Sequence, residues 1–152
     1  MVLSLGPSAA ARAPQVTPGT ILKLSMATTP ELKGVRTAIG GGPHLVHEGA
    51  PQLSYDHRSH ERHPRAAIGW NTKHFFFVAV DGRQPGLSMG MTLAELAGYM
   101  VKLGCDEAMN LDGGGSVEMW LEGRIVNSPC FRYERSTANA LVLVQKETPQ
   151  DK

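Results

Sequence analysis

Clear helical periodicity occurs in one stretch of this sequence, "MTLAELAGYMVKLG" at residues 91–104, and that scarcity limits the folds open to the chain. Thr92 and Glu95 have the spacing of a capping box, while Leu93, Leu96, Ala97, Met100 and Val101 fall on one face. Gly104 stands where a helix commonly ends in the left-handed conformation. The other apolar runs are short and bounded by Gly, Pro, Asn or Asp, the punctuation of strands. "AAIGWN" and "HFFFVAVDG" read as a hairpin joined through Asn-Thr-Lys. The second run is apolar enough to be buried on both faces, which places a central strand at about 74–80. "EAMNL", "SVEMWLEG", "RIVN" and "ANALVLV" read as further strands, with Glu122-Gly123 as a turn. Strand, helix, strand and then a mostly β tail predict an α+β domain: a mixed β-sheet with one amphipathic helix.

The 152 residues suit one domain. Residues 1–37 read as an entry segment, with "TILKLSM" as a short strand, 38–146 as the core of the domain and 147–152 as a tail. Between them, "AIGGGPHLVHEG" and the histidine-rich "YDHRSHERHPR" read as loop. A formal net charge of +1 with 19% charged residues points neither to a disordered tail nor to a general polyanion-binding surface, so nucleic acid is not expected as a partner. The longest apolar run, "FFFVAV", is far below the roughly 20 residues that span a bilayer. The opening "MVLSLGPSAAARAP" has no basic segment before a short apolar core and is not read as a signal peptide. The compartment stays open: secreted or envelope-bound if a signal precedes this sequence, otherwise cytoplasmic. Cys105 and Cys130 do not make a disulfide framework, and whether they pair is left open.

Three polar clusters lie where apolar runs end: "VDGRQ", "NLDGGGS" and "ERSTAN". Open sheets place ligands at such ends, so the three are expected to converge on one site. Asp81 and Asp112 each close a strand and each precede glycine, which leaves a carboxylate at a rim; acceptance of turn amides is the alternative for both, and a stronger one for Asp81 than for Asp112. Gly113, Gly114, Gly115 and Ser116 can offer successive N–H groups to an anionic oxygen, although neither a P-loop nor a dinucleotide fingerprint is present. Arg65, Arg83 and Arg135 are the candidate cations for a phosphate. Glu95 is explained by its capping box. Glu134 stands beside Arg135 as either an acid or an ion-paired surface residue. His57, His60 and His63 lack a cysteine or carboxylate at ligand spacing and read as solvated rather than as a zinc site.

Taken in order, "HPRAAIGW", "VDGRQPGLSMGMTLAELAGYMVKLG", "NLDGGGSVEMW", "VNSP" and "ERSTANALVLV" resemble the phosphodiester glycosidase family, with "AIGGGPHLVHEG" fitting before them. The resemblance implies hydrolysis of a sugar 1-phosphodiester at the anomeric carbon, to free sugar and a phosphomonoester, without a required cofactor. N-acetylglucosamine is the sugar of the family's best-known member, and which sugar applies here stays open. On the family pattern fall Arg65, Asp81, Gly82, Arg83, Ser88, Gly90, Met91, Thr92, Asn110, Asp112, Gly113, Gly114, Gly115, Ser116, Arg135 and Asn139. On this reading Asp112, with Asp81 or Glu134, supplies acid–base function. Arg65, Arg83, Ser88, Asn110, the glycine run, Ser116, Arg135 and Asn139 bind substrate. Glu118 departs from the small or hydroxyl residue common among relatives. The Asn-Gly-Gly-Phe-Phe-like motif of the family's earlier section is missing, so the chain is expected to match the C-terminal part of a domain and to self-associate or pair with an N-terminal segment. Two alternatives remain: a non-catalytic module for envelope polysaccharide, and metal-assisted cleavage at phosphorus with Asp81, Asn110 and Asp112 around Mg²⁺ or Ca²⁺.

Overall fold

The computed structural model describes residue 17 and residues 19–21, 31–52 and 60–144. The chain divides into two compact units, Met1–Thr37 and Ala38–Lys152. In the first, the described residues form two turns, closed by Thr20 N–H to Thr17 O at 3.1 Å and Val35 N–H to Leu32 O at 3.1 Å. Most of the strand expected at "TILKLSM" lies outside the described residues.

The second unit holds a five-stranded sheet. Its strands are β1 (His44–His47), β2 (Ala50–Pro51), β3 (Arg65–Trp70), β4 (Phe75–Val80) and β5 (Glu107–Asn110), in spatial order β2-β1-β5-β3-β4. All four pairings are antiparallel. A two-stranded ribbon of β6 (Trp120–Leu121) and β7 (Arg124–Ile125) follows, turned by Glu122-Gly123 as expected, with both turn residues at positive φ. With one α-helix against the sheet among the described residues, the class is α+β.

That helix, α1 (Leu93–Lys102), forms where its periodicity predicts. Both halves of the capping box are made: Thr92 Oγ1 accepts from Glu95 N–H at 3.2 Å, and the Glu95 carboxylate accepts from Thr92 N–H at 3.0 Å. At the other end Gly104 adopts φ +84°, and the Cys105 N–H to Met100 O and Gly104 N–H to Val101 O bonds complete a Schellman motif. The buried face of Leu93, Leu96, Ala97 and Met100 packs with Leu45 and Val46 of β1, Ala67 of β3, Ala108 of β5 and Cys105. Gly69 is where helix and sheet come closest: a Cβ there would lie 2.6 Å from Met100 Cε and 2.7 Å from Cys105 Sγ.

Three expectations about the strands need correction. Residues 44–51, read as loop, form β1 and β2, and Leu45 and Val46 are fully buried beneath α1. The run at 75–80 is a strand, but at the sheet edge rather than its centre. Phe76, Val78 and Val80 face the core, while Phe75 and Phe77 are exposed on the opposite face, Phe75 stacking on Trp70 at 6.0 Å. "ANALVLV" forms no strand, and Val142, Leu143 and Val144 are exposed. A strand needs a neighbour, and among the described residues this segment has none.

Candidate active site at the sheet end

Both β4 and β5 run antiparallel to β3, so they point the same way, and their C-terminal ends meet the start of β3 at one end of the sheet. The register pairs Arg65 with Val80 and Ala67 with Asn110. This brings Asp81–Arg83, Asn110–Ser116 and the entry to β3 together, joining two of the three clusters read from the sequence, and the third reaches Gly115 through Arg135.

The glycine run packs directly on its neighbours. Gly114 N–H donates to Pro64 O at 2.9 Å, and a Cβ on Gly113 would sit 2.9 Å from that same oxygen. Gly114, at φ +62°, has Arg83 Nη1 only 3.2 Å from where a Cβ would stand, and Gly115 has Arg135 Nη1 at 3.2 Å with the Phe131 ring closer still. Two guanidinium groups therefore lie over two consecutive glycines, where a side chain would otherwise stand. The backbone cradle expected from the sequence is largely closed: Gly113 N–H donates to Asp112 Oδ1, Gly114 N–H to Pro64 O and Ser116 N–H to Gly113 O, leaving only Gly115 N–H outside these bonds. The glycines serve close packing and a tight 3₁₀ turn at Gly114–Ser116 more than a nest of free amides.

Arg65 is buried. Its Nε donates to Met91 O at 3.0 Å and its Nη2 to Glu61 O at 2.9 Å, so it clamps two backbone segments. Burial, and then the Arg83 charge, lower its pKa from the ordinary value, while Glu61 acts in the opposite sense. Arg83 is exposed, at φ +56°, with Nη2 3.3 Å from His63 Nδ1. Among the described residues no carboxylate lies within ion-pair distance of Arg65, Arg83 or Arg135. Uncompensated cations at a rim suit an anionic ligand.

The carboxylates divide. Asp81 Oδ1 accepts from Ser128 N–H at 2.9 Å and Asn127 Nδ2 at 3.1 Å, tying residues 127–128 to the end of β4. Asp112 is exposed and, among the described residues, accepts only from the adjacent Gly113 N–H at 2.9 Å. Ser88 is used internally, donating to Asp81 O at 2.6 Å and accepting from Gly90 N–H at 3.1 Å. Asn110 is buried and turned inward, its Nδ2 donating to Gly42 O and Leu111 O. Arg135 N–H donates to the Glu118 carboxylate at 2.5 Å, so the residue that departs from the family pattern fixes the 134–135 segment in place. Glu134 and Asn139 are exposed, with no side-chain hydrogen bond among the described residues.

Sequence reading missed His63, Asn127 and Phe131. The "VNSP" stretch marked Asn127 through the resemblance alone, and Phe131 carries no polar signal. His63 is signalled by its position next to Pro64 and Arg65 and not by the histidine spacing.

One end of an α+β sheet thus gathers arginines and an aspartate around a glycine turn. The sequence pattern of phosphodiester glycosidases matches residues 2–144, and the chain belongs to that family. It is 30% identical over 123 residues to the SPbeta prophage-derived protein YomE of Bacillus subtilis, an overlap of 78% of this chain and 19% of that protein. Among solved structures it is similar to a hypothetical protein from Synechocystis, at 28% identity and TM-score 0.53 over 62% of this chain and 18% of the other. It also shares its fold with the zebrafish N-acetylglucosamine-1-phosphodiester alpha-N-acetylglucosaminidase catalytic domain, auto-inhibited by its pro-peptide, at 24% identity and TM-score 0.52 over 60% and 34%. The chain thus spans from under a fifth to about a third of the length of these relatives.

Proposed function

We propose that this chain carries the phosphate-holding side of a glycosidase site that hydrolyses a sugar 1-phosphodiester to free sugar and a phosphomonoester. The observation that carries the reading is the pair of guanidinium groups, Arg83 and Arg135, set against Gly114 and Gly115 without a carboxylate partner among the described residues. Family membership supports the reaction class.

In this reading Arg83 and Arg135 take the non-bridging phosphate oxygens, since a planar fork can meet two oxygens at once. Buried Arg65 adds positive potential beneath them and holds the Met91 and Glu61 backbone in place. Asp112 is the acid–base group, because its carboxylate is exposed at the rim next to the turn. Asp81 positions the 127–128 loop rather than moving a proton, and Glu134 is the other acid for mutagenesis to weigh. A phosphodiester is already a fair leaving group, so one carboxylate can carry the proton transfer.

The test is hydrolysis of a sugar 1-phosphodiester, N-acetylglucosamine first, in ¹⁸O-labelled water. Released sugar with no label in the phosphomonoester reports carbon–oxygen cleavage at the anomeric centre and supports the proposal, since phosphate oxygens, unlike a free sugar's anomeric oxygen, do not exchange with water. Label in the phosphate reports attack at phosphorus and overturns it. Saturable binding without product, in a form of the protein whose sheet edge is completed by a further strand, would assign the site to polysaccharide recognition instead.

A further inference from the structure

At the opposite end of β5 from the candidate site, His44, His47 and Glu107 converge. His47 Nδ1 lies 2.9 Å from Glu107 Oε1 and His44 Nε2 lies 3.4 Å from Glu107 Oε2. One ligand atom from each residue falls within 4.8 Å of the other two. We infer that these three side chains form a binding site for a divalent transition-metal cation of the zinc class, which fastens the β1–β2 hairpin to β5.

Residues three apart on a regular strand point to opposite faces. Here the register of β1 against β5 shifts between His44 and Val46, and this irregularity brings both imidazoles to one side, with ring centroids 5.8 Å apart. Glu107 is oriented independently of the histidines. Its Oε1 also accepts from Glu48 N–H at 3.1 Å, in the Glu48-Gly49 turn that closes the hairpin, where both residues have positive φ. That outer hydrogen bond aims the carboxylate as outer partners aim metal ligands. The same N–H is the foremost cause holding the Glu107 carboxyl below its ordinary pKa, with His47 and His44 adding to it.

The donor set is two imidazole nitrogens and one carboxylate oxygen, the set found in open zinc sites. Tetrahedral ligands at about 2.0–2.1 Å from zinc stand about 3.4 Å from one another. The separations of 2.9 Å to Oε1 and 3.4 Å to Oε2 lie at or just below that spacing, and all three ligand atoms stand within 4.8 Å of one another, within reach of a single ion. Both histidines are about half exposed, which gives an entering ion a path and leaves the fourth position to water. The site is separate from the proposed chemistry: about 10 Å of strand lies between Glu107 and Asn110.

Calorimetric titration of the metal-free 152-residue chain with Zn²⁺ tests the inference, alongside thermal unfolding with and without the ion. The expected result is one saturable site and an unfolding midpoint raised by several degrees. Both should be lost in Glu107→Gln, in His47→Gln and in His44→Gln, with affinity falling by more than the roughly 10- to 100-fold that loss of an outer partner costs. His74→Gln, on a different hairpin, should titrate like the parent. Circular dichroism of each variant separates lost binding from lost fold. Absence of saturable binding by the parent, or retention of the parent's affinity in folded His44→Gln and His47→Gln variants, overturns the site and leaves an ordinary ion pair. Sugar release should be indifferent to chelators, so this outcome is independent of the glycosidase proposal.

Discussion

Asp81 and Asp112 occupy matching places in the sequence, each closing an apolar strand and each followed by glycine, yet the structure gives them different work. Asp81 Oδ1 holds two donors from residues 127 and 128, while Asp112 has only its own turn amide. Mutation should separate the two. In an active form of the protein, Asp112→Asn should lower turnover at least about a hundredfold with the unfolding midpoint unchanged, the low end for loss of a general acid or base. Near-normal turnover would reduce Asp112 to a turn residue. Asp81→Ala should instead cost about 1–3 kcal/mol of stability by orphaning the Ser128 N–H, measured by denaturant unfolding. Neighbouring charge also matters at this scale: Arg83→Ala and Arg135→Ala should each raise KM for the phosphodiester more than they lower kcat, because a ground-state phosphate contact is what they remove.

The helix shows why some elements can be read from sequence and others cannot. Thr92, Glu95, the four buried apolar positions and Gly104 all act within residues 92–104, so period and caps identify α1 without help from the rest of the chain. β1 offers only Leu45 and Val46 between two histidines, too little alternation to tell from a loop, and its burial comes from α1 packed above it. For β4 the residues show a strand but not its place: edge or centre depends on whether another strand lies alongside, and nothing in "FFFVAV" records that. At the site, the loop ends were legible as polar clusters after apolar runs, whereas the contacts of Phe131 and Arg135 with Gly115 arise from distant segments. The helix carries its own pH prediction. The Glu95 carboxyl lies below its ordinary value of 4.5, first through the Thr92 N–H and then through Arg62, whose guanidinium it pairs. A depressed carboxylate stabilises the fold at neutral pH and loses that contribution as pH falls from about 4.5 through the lower folded value. Glu95→Gln should flatten this acid limb of stability, and unchanged acid unfolding would show that the capping box contributes little. Leu96→Ala, wholly inside the core, should cost about 2–5 kcal/mol at any pH.

The sheet as a whole is finished on one side and open on the other. At one edge β2 is only two residues long, and short edges invite little pairing. At the opposite edge β4 runs six residues, and among the described residues no strand pairs with its outer side. That edge displays Phe75 and Phe77 next to exposed Trp70, without the lysine, proline or bulge that usually blunts a free strand. Unpaired backbone groups beside apolar rings favour addition of a further strand, either from a second copy or from an N-terminal segment supplied separately. The purified chain should therefore self-associate in a concentration-dependent way, and a site whose geometry depends on several strand ends should be weakly active in that state. Sedimentation across a concentration series and a sugar-release assay on the same sample give the measurement. Phe75→Lys with Phe77→Lys should shift the chain toward monomer while leaving the core face of Phe76, Val78 and Val80 intact. A parent chain that stays monomeric and turns over near the enzyme median of about 10 per second would show that β4 needs no neighbour and that these strand ends suffice for the chemistry.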